Sequence, residues 1–134
     1  MSNLEKVVEQ LEKAEVFYLS TVEGTQPRCR PVSFKMVHDG RIYFGVGTHK
    51  EVYRQIKSNP QVEICACTGE TFLRYSGTAI FEDDPRFQEL ALEEMPVLRG
   101  LYNNETGLHL GVFCLNQPQA QILGMMGLQE ELPL

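Results

Sequence analysis

The sequence has no window approaching the roughly 18 apolar residues that a membrane-spanning helix needs. Its first stretch, Met1 to Ala14, carries alternating charges where a secretion signal has an apolar centre. Neither a membrane span nor an export signal is expected, and the chain reads as cytoplasmic. A basic excess is also missing: 12 lysines and arginines against 18 aspartates and glutamates leave a formal charge of −6. Nucleic acid and anionic membranes are excluded as partners on that ground, because both require a broad basic face. The four cysteines, Cys29, Cys65, Cys67 and Cys114, lack the paired spacing of a zinc site, and no internal repeat or low-complexity segment interrupts the chain. Cys65 and Cys67 share one face of a strand-like run, and the simplest reading makes them small buried apolar residues. What remains is ordinary: 134 residues, 43% apolar and 22% charged, enough for one globular domain over 1–134 with its own core.

Periodicity divides the chain into strands and covering helices. Ser2 and Glu5 form a capping box ahead of Leu4, Val7, Val8 and Leu11 at helical spacing, which predicts a helix ending near Ala14. Val16–Val22 reads as a strand, and Pro27–Val37 as a second whose prolines place its first part at an edge or bulge. Asp39-Gly40 is a hairpin turn into a third strand, Arg41–Val46. Thr48 and Glu51 form a second capping box, and that helix stops at Asn59-Pro60. Gln61–Thr68 and Thr71–Phe81 are strands, with Gly77 marking a bulge or a close backbone approach. Asp84-Pro85 starts a third helix, which Met95-Pro96 breaks or kinks; Asn103–Gly107 is loop. His109–Leu115 and Ala120–Met125 are the last strands, and the tail after Gly127 reads as loose. Short strands joined by hairpins predict a mainly β fold, an antiparallel sheet curled into a barrel with flanking helices.

The most informative stretch is Arg30–Lys50. The first amides of a helix lack internal partners and carry the positive end of its dipole, so an anion at Thr48 gains several hydrogen bonds. Gly45 and Gly47 permit close approach there, and Lys50 is otherwise the wrong charge for a helix start. The alternative reading is a capped helix with a solvated lysine. Regular pairing across Asp39-Gly40 brings Arg30 beside Gly47 and Thr48, which predicts one cationic site. Lys35 joins it only if a bulge near Pro31 reverses its face. His49 reads as a phosphate neighbour or an exposed side chain, and His109 as a surface residue.

Arg30-Pro31-Val32-Ser33-Phe34-Lys35, Ile42-Tyr43-Phe44-Gly45, Thr48-His49-Lys50, Asn59-Pro60 and Gly77 together resemble the flavin-binding split-barrel proteins related to pyridoxamine 5′-phosphate oxidase. The likeness covers about residues 14 to 125 and is closest to the small bacterial branch with nitroimidazole-resistance-type members. It implies a six-stranded antiparallel Greek-key split barrel, and a homodimer with flavin mononucleotide (FMN) at the subunit interface. It also implies flavin-dependent redox chemistry on a small molecule, with a reduced nicotinamide as donor. Carried onto this chain, it assigns the flavin phosphate to Arg30 and Lys50, with Thr48 and His49 at the helix start. Pro31, Val32, Ser33 and Phe34 lie along the ring, and Gly45 and Val46 beside the ribityl chain, with Gly47 as a close-approach point at the helix start. Lys35 faces cofactor or substrate. The acidic ending after Gly127, where the oxidase itself is basic, argues against a true pyridoxamine phosphate oxidase. Alternatives are a non-catalytic flavin-binding or ligand-sensing dimer, and a barrel holding deazaflavin or haem.

Overall fold

The computed structural model describes residues 1–134. Helix α1 (Asn3–Ala14) begins as the sequence predicts: the Ser2 hydroxyl accepts from the Glu5 amide at 3.1 Å, and the Glu5 carboxylate accepts from the Ser2 amide at 3.2 Å. Two donors that a helix start leaves orphaned are thereby satisfied, and Val7 and Leu11 are free to bury fully in the core. Then come strands β1 (Phe17–Glu23), β2 (Gln26–Val32), β3 (Met36–His38) and β4 (Arg41–Gly47), helix α2 (Glu51–Ser58), and strands β5 (Gln61–Thr68) and β6 (Thr71–Phe81). Helix α3 (Arg86–Glu94), a 3₁₀ turn over Pro96–Gly100, β7 (Leu110–Gly124) and β8 (Gly127–Glu131) complete the chain.

All strand pairs are antiparallel, in the order β2-β1-β5-β6-β7-β4-β3, with β8 added to β7. Strands β2 and β3 stand at opposite ends of that order, yet only Ser33, Phe34 and Lys35 separate them in the chain. Four peptide steps reach at most about 14 Å. A flat path of this many strands at ordinary spacing spans roughly 29 Å. The sheet therefore has to curl until its two edges meet, and the barrel is closed by a covalent link rather than by a ladder of hydrogen bonds.

The curl encloses the main core, 19 buried residues that include Phe17, Leu19, Ile64, Leu73 and Phe113. A second cluster of 10 lies outside β4 and β7, covered by α3, with Tyr43, Phe87, Ala91 and Val112 among its members. Strand β4 serves both: Ile42, Phe44 and Val46 point inward while Tyr43 packs outward. That double burial accounts for its near-continuous apolar sequence.

Several expectations are corrected. The single strand predicted over Pro27–Val37 is two strands, because β2 pairs with β1 and β3 with β4 on opposite edges. Pro27 and Pro31 sit on the free edge, as their missing amides require. The two strands expected after His109 are one continuous β7, whose irregularity is absorbed at Gln117, with φ 51°, and in a register shift against Ser76/Thr78. The tail is not loose: β8 pairs with β7, and Leu132 is 1% exposed in the main core. The capping box at Thr48 does not form; α2 starts at Glu51, behind Lys50, without any side-chain cap. Asp84 accepts from the Arg86 amide at 2.9 Å, so α3 begins one residue beyond Pro85. Cys65 and Cys67 are half-buried and exposed respectively, because Ile64 and Ala66 take the interior positions of β5.

Gly77 sits where β6 and β7 come too close for a side chain: an added Cβ would lie 3.0 Å from the Asn116 carbonyl oxygen and 3.2 Å from the Leu115 Cβ. Gly77→Ala is expected to lower stability by about 1–3 kcal/mol, since backbone on the far side has to move. Urea unfolding measures it, and an unchanged midpoint would mean that the bulge gives way without strain.

Candidate functional site

Curling brings the end of β2 and the end of β4 to the two sides of a seam, and a cavity of about 250 Å³ opens there. Nine of the residues singled out from the sequence line it: Arg30, Pro31, Val32, Ser33 and Phe34 on one side, Gly45, Val46, Gly47 and Lys50 on the other. The convergence does not arise by the predicted route. Arg30 is opposite Leu19 in β1, and the residue of β3 opposite Tyr43 is Met36, so no strand pairing joins Arg30 to Gly47. The closing of the barrel joins them.

Arg30 is fixed by a polar network inside the apolar wall. Its Nη1 donates to the Leu19 carbonyl at 3.1 Å and to Thr21 Oγ1 at 2.8 Å, and its Nη2 donates to Gln55 Oε1 at 2.8 Å. The Thr21 hydroxyl in turn donates to Gln55 Oε1 at 2.6 Å. Thr21 and Gln55 are the two buried polar side chains of the molecule, and both are committed to holding this guanidinium. Of the five donors on an arginine, Nε–H and one Nη2–H remain, the pair that engages two oxygens of a phosphate or carboxylate side by side. Burial pulls the Arg30 pKa below the ordinary arginine value, the response of a cation removed from water without an acid beside it.

Charge placement elsewhere sharpens this. Lys6, Lys13, Arg28, Lys35, Arg54, Arg74, Arg86 and Arg99 each reach a carboxylate within 4 Å. Arg30 and Lys50 are among the four cations that do not, and no aspartate or glutamate lines their cavity. Lys50 occupies the N-cap of α2, whose first amides have no side-chain acceptor. Helix dipole, lysine and arginine thus address one acid-free space, the electrostatic requirement for an anion with two negative charges.

Three expected members lie elsewhere. Lys35 turns to α1, 3.5 Å from a Glu12 carboxylate oxygen. Thr48 borders a different hollow, and its amide donates to the His109 carbonyl at 2.9 Å. His49 is exposed and folds back toward Tyr102, ring centroids 6.5 Å apart. Gly47 makes that possible: a Cβ there would lie 2.6 Å from the His49 ring and 2.8 Å from the Tyr102 hydroxyl. Sequence reasoning missed the floor of the cavity, Met95, Leu98, Leu101 and Tyr102, which the 3₁₀ turn delivers. Only Pro96 at the start of that turn hinted at a compact element, and nothing in it pointed to a ligand.

The sequence profile described as pyridoxamine 5′-phosphate oxidase matches residues 4–100. No curated protein matches the chain. Among solved structures, a NimC/NimA family protein from Clostridium acetobutylicum is 29% identical with a TM-score of 0.88, over 100% of this chain and 95% of that one. A pyridoxamine 5′-phosphate oxidase-related, FMN-binding protein from Nostoc punctiforme is 18% identical with a TM-score of 0.62, over 92% and 84% of the two chains. A haem-binding protein from Mycobacterium smegmatis is 15% identical with a TM-score of 0.71, over 96% of this chain and 57% of that one. The last two show the fold alone. With the profile spanning most of its length and the split barrel in place, the chain belongs to the pyridoxamine 5′-phosphate oxidase family.

Proposed function

We propose that the seam cavity holds FMN and that the protein is a flavin-dependent reductase of a small molecule, with a reduced nicotinamide as electron donor. The observation that carries the reading is the pair of carboxylate-free cations, Arg30 and Lys50, on one acid-free cavity beside an uncapped helix start. The free Nε–H and Nη2–H of Arg30 bind phosphate oxygens, Lys50 adds a point charge, and the first amides of α2 complete the cradle. Backbone at Gly45 and Gly47 follows the ribityl chain, and Pro31–Phe34 runs along the ring. The bound flavin supplies one- and two-electron redox chemistry, and the chain supplies position, charge and exclusion of water.

One alternative is disfavoured by the same lining. Two cations suffice for one phosphate dianion, so a second phosphorylated molecule, such as the substrate of the oxidase itself, finds no counter-charge. The acidic tail adds none, since Glu130 pairs with Lys6 and Glu131 accepts from Gln121 of β7.

The reading includes a homodimer. Pro31 and Ser33 are exposed, and on the floor side Leu101 is 39% and Val97 79% exposed, so a ring lying along Pro31–Phe34 is left open on one side. A second copy covers it and lends its own residues to the substrate.

Purified protein is expected to be yellow or to bind added FMN, and to bleach when reduced nicotinamide is added without oxygen. Protein that stays colourless and takes up no FMN overturns the whole reading, whereas flavin that no nicotinamide reduces leaves a binding or sensing dimer. Arg30→Ala is expected to weaken FMN binding by about 1.5–3 kcal/mol through loss of charged hydrogen bonds, and Lys50→Ala in the same direction by less. Gln55→Glu gives Arg30 the carboxylate it lacks and is expected to weaken FMN binding with the barrel still folded; fluorescence titration of free flavin checks all three. Sedimentation tests the assembly, and a monomer that retains flavin tightly removes the interface from the proposal.

A further inference from the structure

A cavity of about 410 Å³, larger than that at the seam, lies elsewhere on the molecule. It lies at the other end of β4, around Gly40, Arg41 and Ile42, and extends over the β7 bulge at Asn116–Pro118; it shares no residue with the seam cavity. Half of its 14 lining residues are hydrophobic, a composition and size typical of a site for a small organic molecule.

Two polar groups face it with no aspartate or glutamate in the lining beside them. Tyr75 is 2% exposed, yet its hydroxyl takes part in no hydrogen bond within the protein and keeps its remaining access through this cavity. The hydroxyl is accessible there and free to donate to a ligand in the cavity. Arg41 is the second: it forms no ion pair, and no aspartate or glutamate lines the cavity. Its neighbours are the Cys114 sulfur and the Tyr43 oxygen, which together hold its pKa above the ordinary arginine value. Glu82, which accepts from the Tyr43 hydroxyl at 3.2 Å, lies outside this lining.

We propose that this cavity is a second ligand site, which takes a small monocarboxylic acid with an aromatic or branched apolar body. Ile80 and Pro118 receive the body, Arg41 binds the carboxylate, and the Tyr75 hydroxyl donates to the ligand's polar end. One guanidinium matches one negative charge, and the apolar remainder disfavours a phosphate dianion. The site is independent of any flavin in the seam.

Full-length protein titrated with sodium phenylacetate, and separately with neutral phenylacetamide, tests it by amide NMR shifts. The acid is expected to saturate with a Kd below about 1 mM, with shifts concentrated at residues 40–42 and 114–118, and to bind about tenfold or more tighter than the amide. Arg41→Gln, at an exposed position, should bring the acid to the level of the amide, Arg41→Lys should fall between, and Tyr75→Phe should weaken binding several-fold. FMN binding should be unchanged in all three. Absent or non-saturating shifts, equal acid binding in Arg41→Gln, or shifts confined to Gly45–Lys50 would each overturn the proposal.

Discussion

The short reach of Ser33–Lys35 is the constraint on which the molecule depends. Three residues must carry the chain from one edge of the sheet to the other, and a sheet of this width can obey only by curling. Everything functional follows from that closure. It buries one face of β4 against the main core and leaves the other for α3, and it sets the end of β2 across a gap from the end of β4. Because the seam is spanned by a covalent link and not by strand pairing, it stays open enough to form a cavity.

Within that cavity the chain spends nearly all its buried polarity on a single group. Thr21 and Gln55 are the buried polar side chains, and both are turned to Arg30. Burying such a network is unfavourable unless every member is satisfied, and here it leaves two guanidinium donors free and aligned. Eight other cations are neutralised at the surface by the acidic excess, where such pairs contribute little to stability. The effect is to keep positive potential where no carboxylate competes for it.

Local chemistry was legible. The capping box at Ser2, the Asp39-Gly40 hairpin, the edge prolines and the close approach at Gly77 are each decided by a few neighbouring residues, and each appears in the structure. Thr48 looked equally local and was misread, because its amide is drawn to the His109 carbonyl and α2 starts three residues later. Cys65 and Cys67 were placed on the wrong face: a period-2 pattern defines two faces but not which of them is inside, and Ile64 with Ala66 decided it. Lys35 shows the same limit, since its contact with Glu12 depends on where α1 lies.

By itself the sequence determined the three helices and most of the strands, the antiparallel mainly β class, the family likeness and the presence of two cations flanking a helix start. Those properties depend on spacing, turn residues and propensities that act within a few residues. The tertiary structure alone decided that the cations share one cavity, that they lack acidic partners, that Met95–Tyr102 forms its floor, and that β2 and β3 part to opposite edges. Each of these joins residues distant in the chain, and in a barrel that closes at a seam such meetings are fixed by how the sheet curls rather than by any local pattern.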